Sequence, residues 1–243
     1  MNRNHDMVDA NQELIRVTWW LVAATFSAAI VALIIAVWGN WLRLLVFHPK
    51  LEIACNLEPP NCEKTKLTQV EKRNNNLVVV EADCYYFRIL VKNNGCAKAE
   101  SVEIFATELY KKRADDAFHK IDSFIPMNLT WTHSKKEKYY PTISKKMFRH
   151  CDLGYVIKPS ERGKFKNEDN PKFNKNKTVF GFELEVKPNS LQHLIEPGIY
   201  RLKILIASSN TKPKPRTIEL NLTGDWDDDE EKMFSKGIGI KTI

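Results

Sequence analysis

The chain has 243 residues, 43% of them hydrophobic, and a formal net charge of +7, an ordinary composition for a globular protein. Nine glycines leave little room for nucleotide-cradling loops, and five irregularly spaced cysteines, an odd count, make a poor disulfide framework and favour reduced structural thiols over one or two disulfides. The charge is uneven: residues 135–177 carry thirteen Lys/Arg against five Asp/Glu, whereas residues 224–243 carry six acids and three bases, so a basic middle and an acidic end can meet each other or separate partners.

In chain order, the first element is a run of 26 positions without charge between Arg16 and Arg43. As a helix it spans ~39 Å, more than the hydrocarbon core of a bilayer requires. Trp19 and Trp20 stand at one end and Trp38 and Trp41 at the other, where the amphipathic indole suits the two membrane–water interfaces. The run is too long for a cleaved signal peptide and follows acidic residues Asp6, Asp9 and Glu13. A transmembrane helix is therefore expected over residues 17–42, after a tail at 1–16 and before a linker at 43–50. The bases after it (Arg43, Lys50, Lys64, Lys66) outnumber those before it (Arg3, Arg16), which favours a cytoplasmic soluble domain. Ala24, Ala28, Ala32 and Ala36 recur every fourth residue, a small-residue row along which two helices can approach closely.

Strands follow. Residues 51–57 (LEIACNL) read as the first. In residues 84–92 (CYYFRILVK), Tyr85, Phe87, Ile89 and Val91 alternate with a polar set that includes Arg88 and Lys92. Asn93-Asn94-Gly95 predicts a turn, with Val102, Ile104 and Ala106 on the next strand. Later, Phe180/Phe182/Leu184/Val186, Tyr200/Leu202/Ile204/Ile206 and Ile218/Leu220/Leu222 each alternate. One-sided alternation with little helical periodicity predicts an antiparallel β-sandwich, over residues 51–223. A long basic loop region at 134–177 interrupts it, and an acidic C-terminal segment at 224–243 follows.

Two segments carry a resemblance. The stretch YYFRILVKNNGCAKAESVEI, with Phe87 to Val102 at its centre, resembles a strand running into an N-x-G turn in bacterial immunoglobulin-like modules of the adhesion-related type. LIEPGIYRLKILI resembles a tyrosine corner, with Leu194, Pro197-Gly198 and Tyr200 in place. With the tryptophan-rich segment from Trp38 to Ile53, these resemble bacterial single-pass membrane proteins bearing a C-terminal Ig-like domain, over about half of the chain. The resemblance implies a mainly β fold class, with one N-terminal transmembrane α-helix followed by an antiparallel Ig-like β-sandwich. It brings no activity with it. No Cys…Trp…Cys spacing is present, which excludes an antibody-type domain.

Chemistry-bearing groups are sparse. His150-Cys151-Asp152 is the one tight cluster of reactive types, but neighbours on a strand point to opposite faces, so His150 is not placed to serve Cys151. Cys55, Cys62, Cys84 and Cys96 form no short zinc-binding pair. Asp225, Asp227 and Asp229 loosely suggest a calcium loop but lack a central glycine; a solvated acidic segment is the simpler reading. Lys164, Lys166, Lys172, Lys175 and Lys177 form a candidate patch for anionic headgroups or an acidic protein, and nucleic acid is a less suitable partner. No catalytic residue, metal or cofactor is assigned, and an enzyme is not expected. The expected function is a membrane-tethered interaction or sensing module with membrane lipid and a protein as partners. The alternative is an oligomerising effector whose helices associate through the alanine row.

Overall fold

The computed structural model describes residues 3–73, 76–134, 139–165, 168 and 170–243, with the side chains of 3–11, 40–46 and 73 outside the description. The chain divides into two units, Met1–Phe47 and His48–Ile243.

The first unit is one helix, α1 (Arg3–Val46). Its stretch Gln12–Gly39 is long and apolar enough to cross a membrane. The helix takes in the N-terminal tail as well, because no glycine or proline interrupts residues 3–38. Its few hydroxyls are satisfied internally: Thr18, Thr25 and Ser27 donate to carbonyls four residues back, at 2.7, 2.7 and 2.8 Å, which removes the cost of placing them in an apolar medium.

The second unit is mainly β, with two antiparallel sheets packed as a sandwich. The first sheet contains β1 (Leu51–Ala54), β2 (Cys62–Arg73), β3 (Asn76–Asn93), β7 (Thr130–Trp131), β9 (Phe148–Ile157), β10 (Phe180–Phe182) and β11 (Leu194–Ile195). The second contains β4 (Ala99–Lys112), β5 (Phe118–Lys120), β6 (Met127–Asn128), β8 (Tyr139–Ile143), β12 (Gly198–Ser208), β13 (Thr211–Leu222) and β14 (Ile238–Thr242). In the first, β3 is central, with β9 on one side and both β1 and β2 on the other. In the second, β4 and β13 flank β12.

Alternation in the sequence builds the core between them. Tyr85, Phe87, Ile89 and Val91 of β3 are buried against Val102, Ile104 and Ala106 of β4, Leu202 and Ile204 of β12 and Ile218 and Leu220 of β13. Period-two alternation sends every second side chain to one face, so each strand contributes one apolar row. Val186 departs from its expected row: the strand ends at Phe182, and Val186 is exposed.

Three local devices connect the sheets. Residues 127–131 pass from one to the other, Met127 pairing with Ala106 of β4 and Trp131 with Cys151 of β9. The Asn93-Asn94-Gly95 turn hands the chain from β3 to β4 in the opposite sheet rather than closing a hairpin. The tyrosine corner is formed, with the Tyr200 hydroxyl donating to the Glu196 carbonyl at 3.0 Å.

Two segments differ from expectation. Inside the expected basic loop lies β9, whose residues pair with β3 from Cys84↔Ile157 to Lys92↔Phe148. A bulge near Leu153 shifts its alternation, and this hides the strand from a period-two reading. The acidic C-terminal segment is not simply solvated. Trp226 and Phe234 pack on Tyr85 with ring centroids 4.9 and 5.3 Å apart, and Met233 is buried. The chain then ends as β14, paired with β13.

Candidate functional site

The most distinctive surface feature of the β unit is a two-stranded arm. β2 pairs with β3 in unbroken register from Cys62↔Phe87 to Arg73↔Asn76, but β9 accompanies β3 only as far as Cys84. Beyond that point the β2–β3 ribbon runs on for about 25 Å at ~3.3 Å per residue. Its base is held. Phe165 packs with Val80, Ala82, Cys84 and Leu67, and Asp83 joins the short helix α2 (Pro159–Arg162) through a backbone N–H donated to Glu161 Oε2 at 2.7 Å. Its distal part is not covered: Val70, Leu77 and Val79 are 63, 77 and 61% exposed. Val70 and Val79 are directly cross-strand partners, so they form one apolar face with Leu77 beside them.

The outer edge of β2 is open as well, since β3 is its one strand partner among the described residues. The Lys64 N–H points outward and is capped by Glu230 Oε1 at 2.6 Å. By strand alternation the N–H groups of Lys66, Thr68, Val70 and Lys72 point the same way. A two-stranded ribbon is marginal by itself in water, and an uncovered edge is a template for strand pairing.

A second feature lies on the outer face of the first sheet. Glu168 and His193 are buried, 1% and 0% exposed, and Lys187 is largely covered. The Tyr155 hydroxyl donates to Glu168 Oε1 at 2.6 Å. Lys187 Nζ donates to the same oxygen at 2.7 Å and also to the Tyr155 hydroxyl. His193 Nε2 lies 4.0 Å from Glu168 Oε1. Gly181 makes room for this arrangement, because a Cβ there would sit 3.1 Å from the Tyr155 ring and 3.3 Å from Glu168 Oε2. Burial, then the Glu168 charge, pushes the Tyr155 hydroxyl well above its usual range. Nearby, buried Arg162 donates to the Lys177 and Asn174 carbonyls at 2.9 and 3.2 Å. Together these contacts hold Glu168 and Lys187 over Tyr155 and tie α2 to the 174–177 segment.

The residues singled out in the sequence are mostly dispersed. His150 and Cys151 lie on opposite faces of β9: Cys151 is fully buried in the core, and the His150 ring meets Phe148 edge-on at 5.7 Å. Asp225 pairs with Lys177 at 2.7 Å. Asp227 Oδ1 accepts from the Asp229 N–H at 2.9 Å, and Asp229 accepts from the Lys232 N–H at 3.2 Å, capping the short helix α3 (Glu230–Lys232). These three carboxylates are thus committed to different partners, and no metal-holding group of His, Cys, Asp or Glu occurs among the described residues. Asp228 bridges Lys64 and Lys158 at 3.0 and 2.9 Å. The acidic end therefore meets the protein's own basic groups. Of the candidate lysine patch, Lys164 pairs with Glu161 at 2.6 Å and Lys177 with Asp225; Lys172 and Lys175 are exposed, and Lys166 lies outside the described residues. Ala24, Ala28, Ala32 and Ala36 lie exposed along α1 with Trp19, Trp20 and Trp38, while the Trp41 side chain lies outside the description.

None of the five cysteines is in a disulfide, and Cys96 alone is exposed. Burial pushes the Cys55 and Cys84 thiols up to about 12 and raises Cys62 and Cys151 further. A maleimide at neutral pH is expected to label Cys96 rapidly and the other four only on unfolding. The folded state holds thiol protons that an unfolded chain loses near pH ~8.5. Stability is therefore expected to be highest below that value and to fall as pH rises toward 12. Fast labelling of two or more thiols, or no alkaline loss in a Tm series, would contradict this.

The arm and the Glu168 cluster escaped the sequence reading. β2 buries little beyond Cys62 and the partly covered Leu67, so its sequence shows no apolar alternation. Glu168 sits among lysines, and its one sequence signal is the interior glycine of β10, Gly181. No protein-family model, curated protein or solved structure matches the chain.

Proposed function

We propose that this chain is a non-catalytic, membrane-tethered interaction module in which α1 crosses a bilayer and the β2–β3 arm is the element offered to a partner. The observation that carries this reading is the apolar tip of Val70, Leu77 and Val79, on the distal face of the ribbon that the rest of the domain leaves uncovered. Large side chains exposed together on a projecting element mark contact sites. The four bases following the apolar stretch, against two before it, and the reduced thiols support a cytoplasmic domain. The Tyr200–Glu196 corner supports the Ig-like assignment and the resemblance to bacterial single-pass proteins.

The test is a photo-crosslinking residue in place of Leu77, in the full chain in its native membrane. A discrete protein adduct is expected, and adducts with lipid alone, or none, overturn the reading. In parallel, combined Val70→Thr, Leu77→Thr and Val79→Thr should leave Tm nearly unchanged. Core positions would together lose several kcal/mol, at roughly 1.5–3 kcal/mol for each buried aliphatic side chain, so a Tm drop of that size also refutes the proposal.

A further inference from the structure

We infer that the partner of the arm is a second copy of this chain, joined edge to edge through β2 about a two-fold axis at Val70. This rests on the reading of the arm as an interaction element and deepens it by naming the occupant. Antiparallel addition to β2 must use the outward N–H and C=O groups of Lys66, Thr68, Val70 and Lys72, since the odd-numbered residues face β3 and Lys64 is capped by Glu230.

Charge then selects the register. An axis at Leu67 sets Glu63 opposite Glu71 of the second copy. An axis at Thr68 opposes Lys64 to Lys72, and one at Gln69 opposes Lys66 to Lys72. Axes at Glu71, Lys72 or Arg73 oppose each of these to itself. Like charges directly across a strand pair are destabilising. With the axis at Val70 the pairs are Val70 with Val70, Thr68 with Lys72, Gln69 with Glu71 and Leu67 with Arg73, and no like charges meet.

The same register joins the apolar faces. Val79 lies across from Val70 within each arm. A two-fold axis normal to the ribbon keeps matching faces on the same side, giving a row Val79–Val70–Val70–Val79 with a Leu77 beside each end. The joined ribbon has four strands with an apolar face, above the threshold at which strands hold together independently. The acidic segment confines the pairing to the distal arm, because Glu230 already occupies the edge at Lys64.

The test uses the full chain in detergent micelles, with molecular mass followed across a dilution series. The wild type is expected to dimerise. Val70→Lys and Val70→Glu each place like charges on the axis and should raise the dissociation constant at least about tenfold, while an equimolar mixture of the two should recover dimers. Thr68→Pro removes an outward N–H that β3 does not use, so it should also weaken the dimer; Val70→Lys and Val70→Glu keep the test valid if that variant fails to fold. A monomeric wild type overturns the inference. So does a dimer unchanged by these variants, one weakened only by Ala28→Leu, or failure of the mixture to recover. If position 77 crosslinks to a different protein while the chain stays monomeric, this inference falls and the interaction-module reading stands.

Discussion

Gly95→Ala is expected to destabilise the β unit by about 3 kcal/mol or more, a Tm loss of roughly 6–12 °C for a domain of this size. The cause is steric. A Cβ at Gly95 would lie 2.3 Å from the Lys50 nitrogen, 2.5 Å from the His48 carbonyl oxygen and 2.6 Å from the Pro49 Cα. All three are backbone atoms and cannot swing aside as a side-chain tip would. Residues 48–50 must therefore move, and their bonds go with them: Asn94 N–H to the Lys50 carbonyl at 2.8 Å, Cys96 N–H to the His48 carbonyl at 3.3 Å, and Lys50 N–H to Asn93 Oδ1 at 3.1 Å. Asn93 is itself fully buried and also donates to the Ala97 and Ile143 carbonyls at 2.8 and 3.0 Å. Gly239→Ala is the control. Its nearest neighbour would be Asn221 Cβ at 3.4 Å, an ordinary contact, so a cost within about 0.5 kcal/mol is expected. Equal Tm values for the two variants would remove the argument.

Glu168→Ala is expected to cost about 3 kcal/mol, because a buried phenol and a largely covered ammonium lose the carboxylate oxygen they share, which leaves Lys187 only Glu183 at 4.0 Å. Lys187→Ala should cost less. Its removal leaves Glu168 still accepting from Tyr155, and space for water opens beside it. The two losses should not add: in a double-mutant cycle from urea midpoints, the combined variant should be less destabilised than the sum, by about 1 kcal/mol or more. Additive effects, or single costs under about 1 kcal/mol, would mean that the cluster does not hold Glu168 and Lys187 over Tyr155.

The parts legible in the sequence are those where one face of a strand is wet and the other dry. Tyr85 to Val91, Tyr200 to Ile206 and Ile218 to Leu222 announce themselves because burial is periodic there. The same rule fails where burial is not periodic. Lys66, Thr68, Gln69 and Lys72 of β2 carry no apolar row, yet they form a strand, because backbone pairing with β3 holds them. β9 is obscured by its bulge and by Gly154, which a Cβ would push into the Gly181 carbonyl at 2.2 Å. The candidate site was illegible for a related reason. Glu168 and Lys187 lie 19 positions apart, on either side of β10, and only the fold brings them over Tyr155. The tyrosine corner was readable because its partners are four residues apart, within the reach of a local motif.

The attachment of α1 to the β unit has a mechanical consequence. After residues 47–50 the chain enters β1, which lies antiparallel to β3 with Leu51 opposite Asn93 and Ala54 opposite Leu90. The arm's tip, at Asn76, is at the other end of the same strand. A pull on Phe47 along the strand direction loads the β1–β3 bonds in shear, so they must fail together and not be peeled one at a time. Tension between an anchored helix and a gripped arm would therefore travel down β3 as along a cable, through the middle of the sheet and not around it.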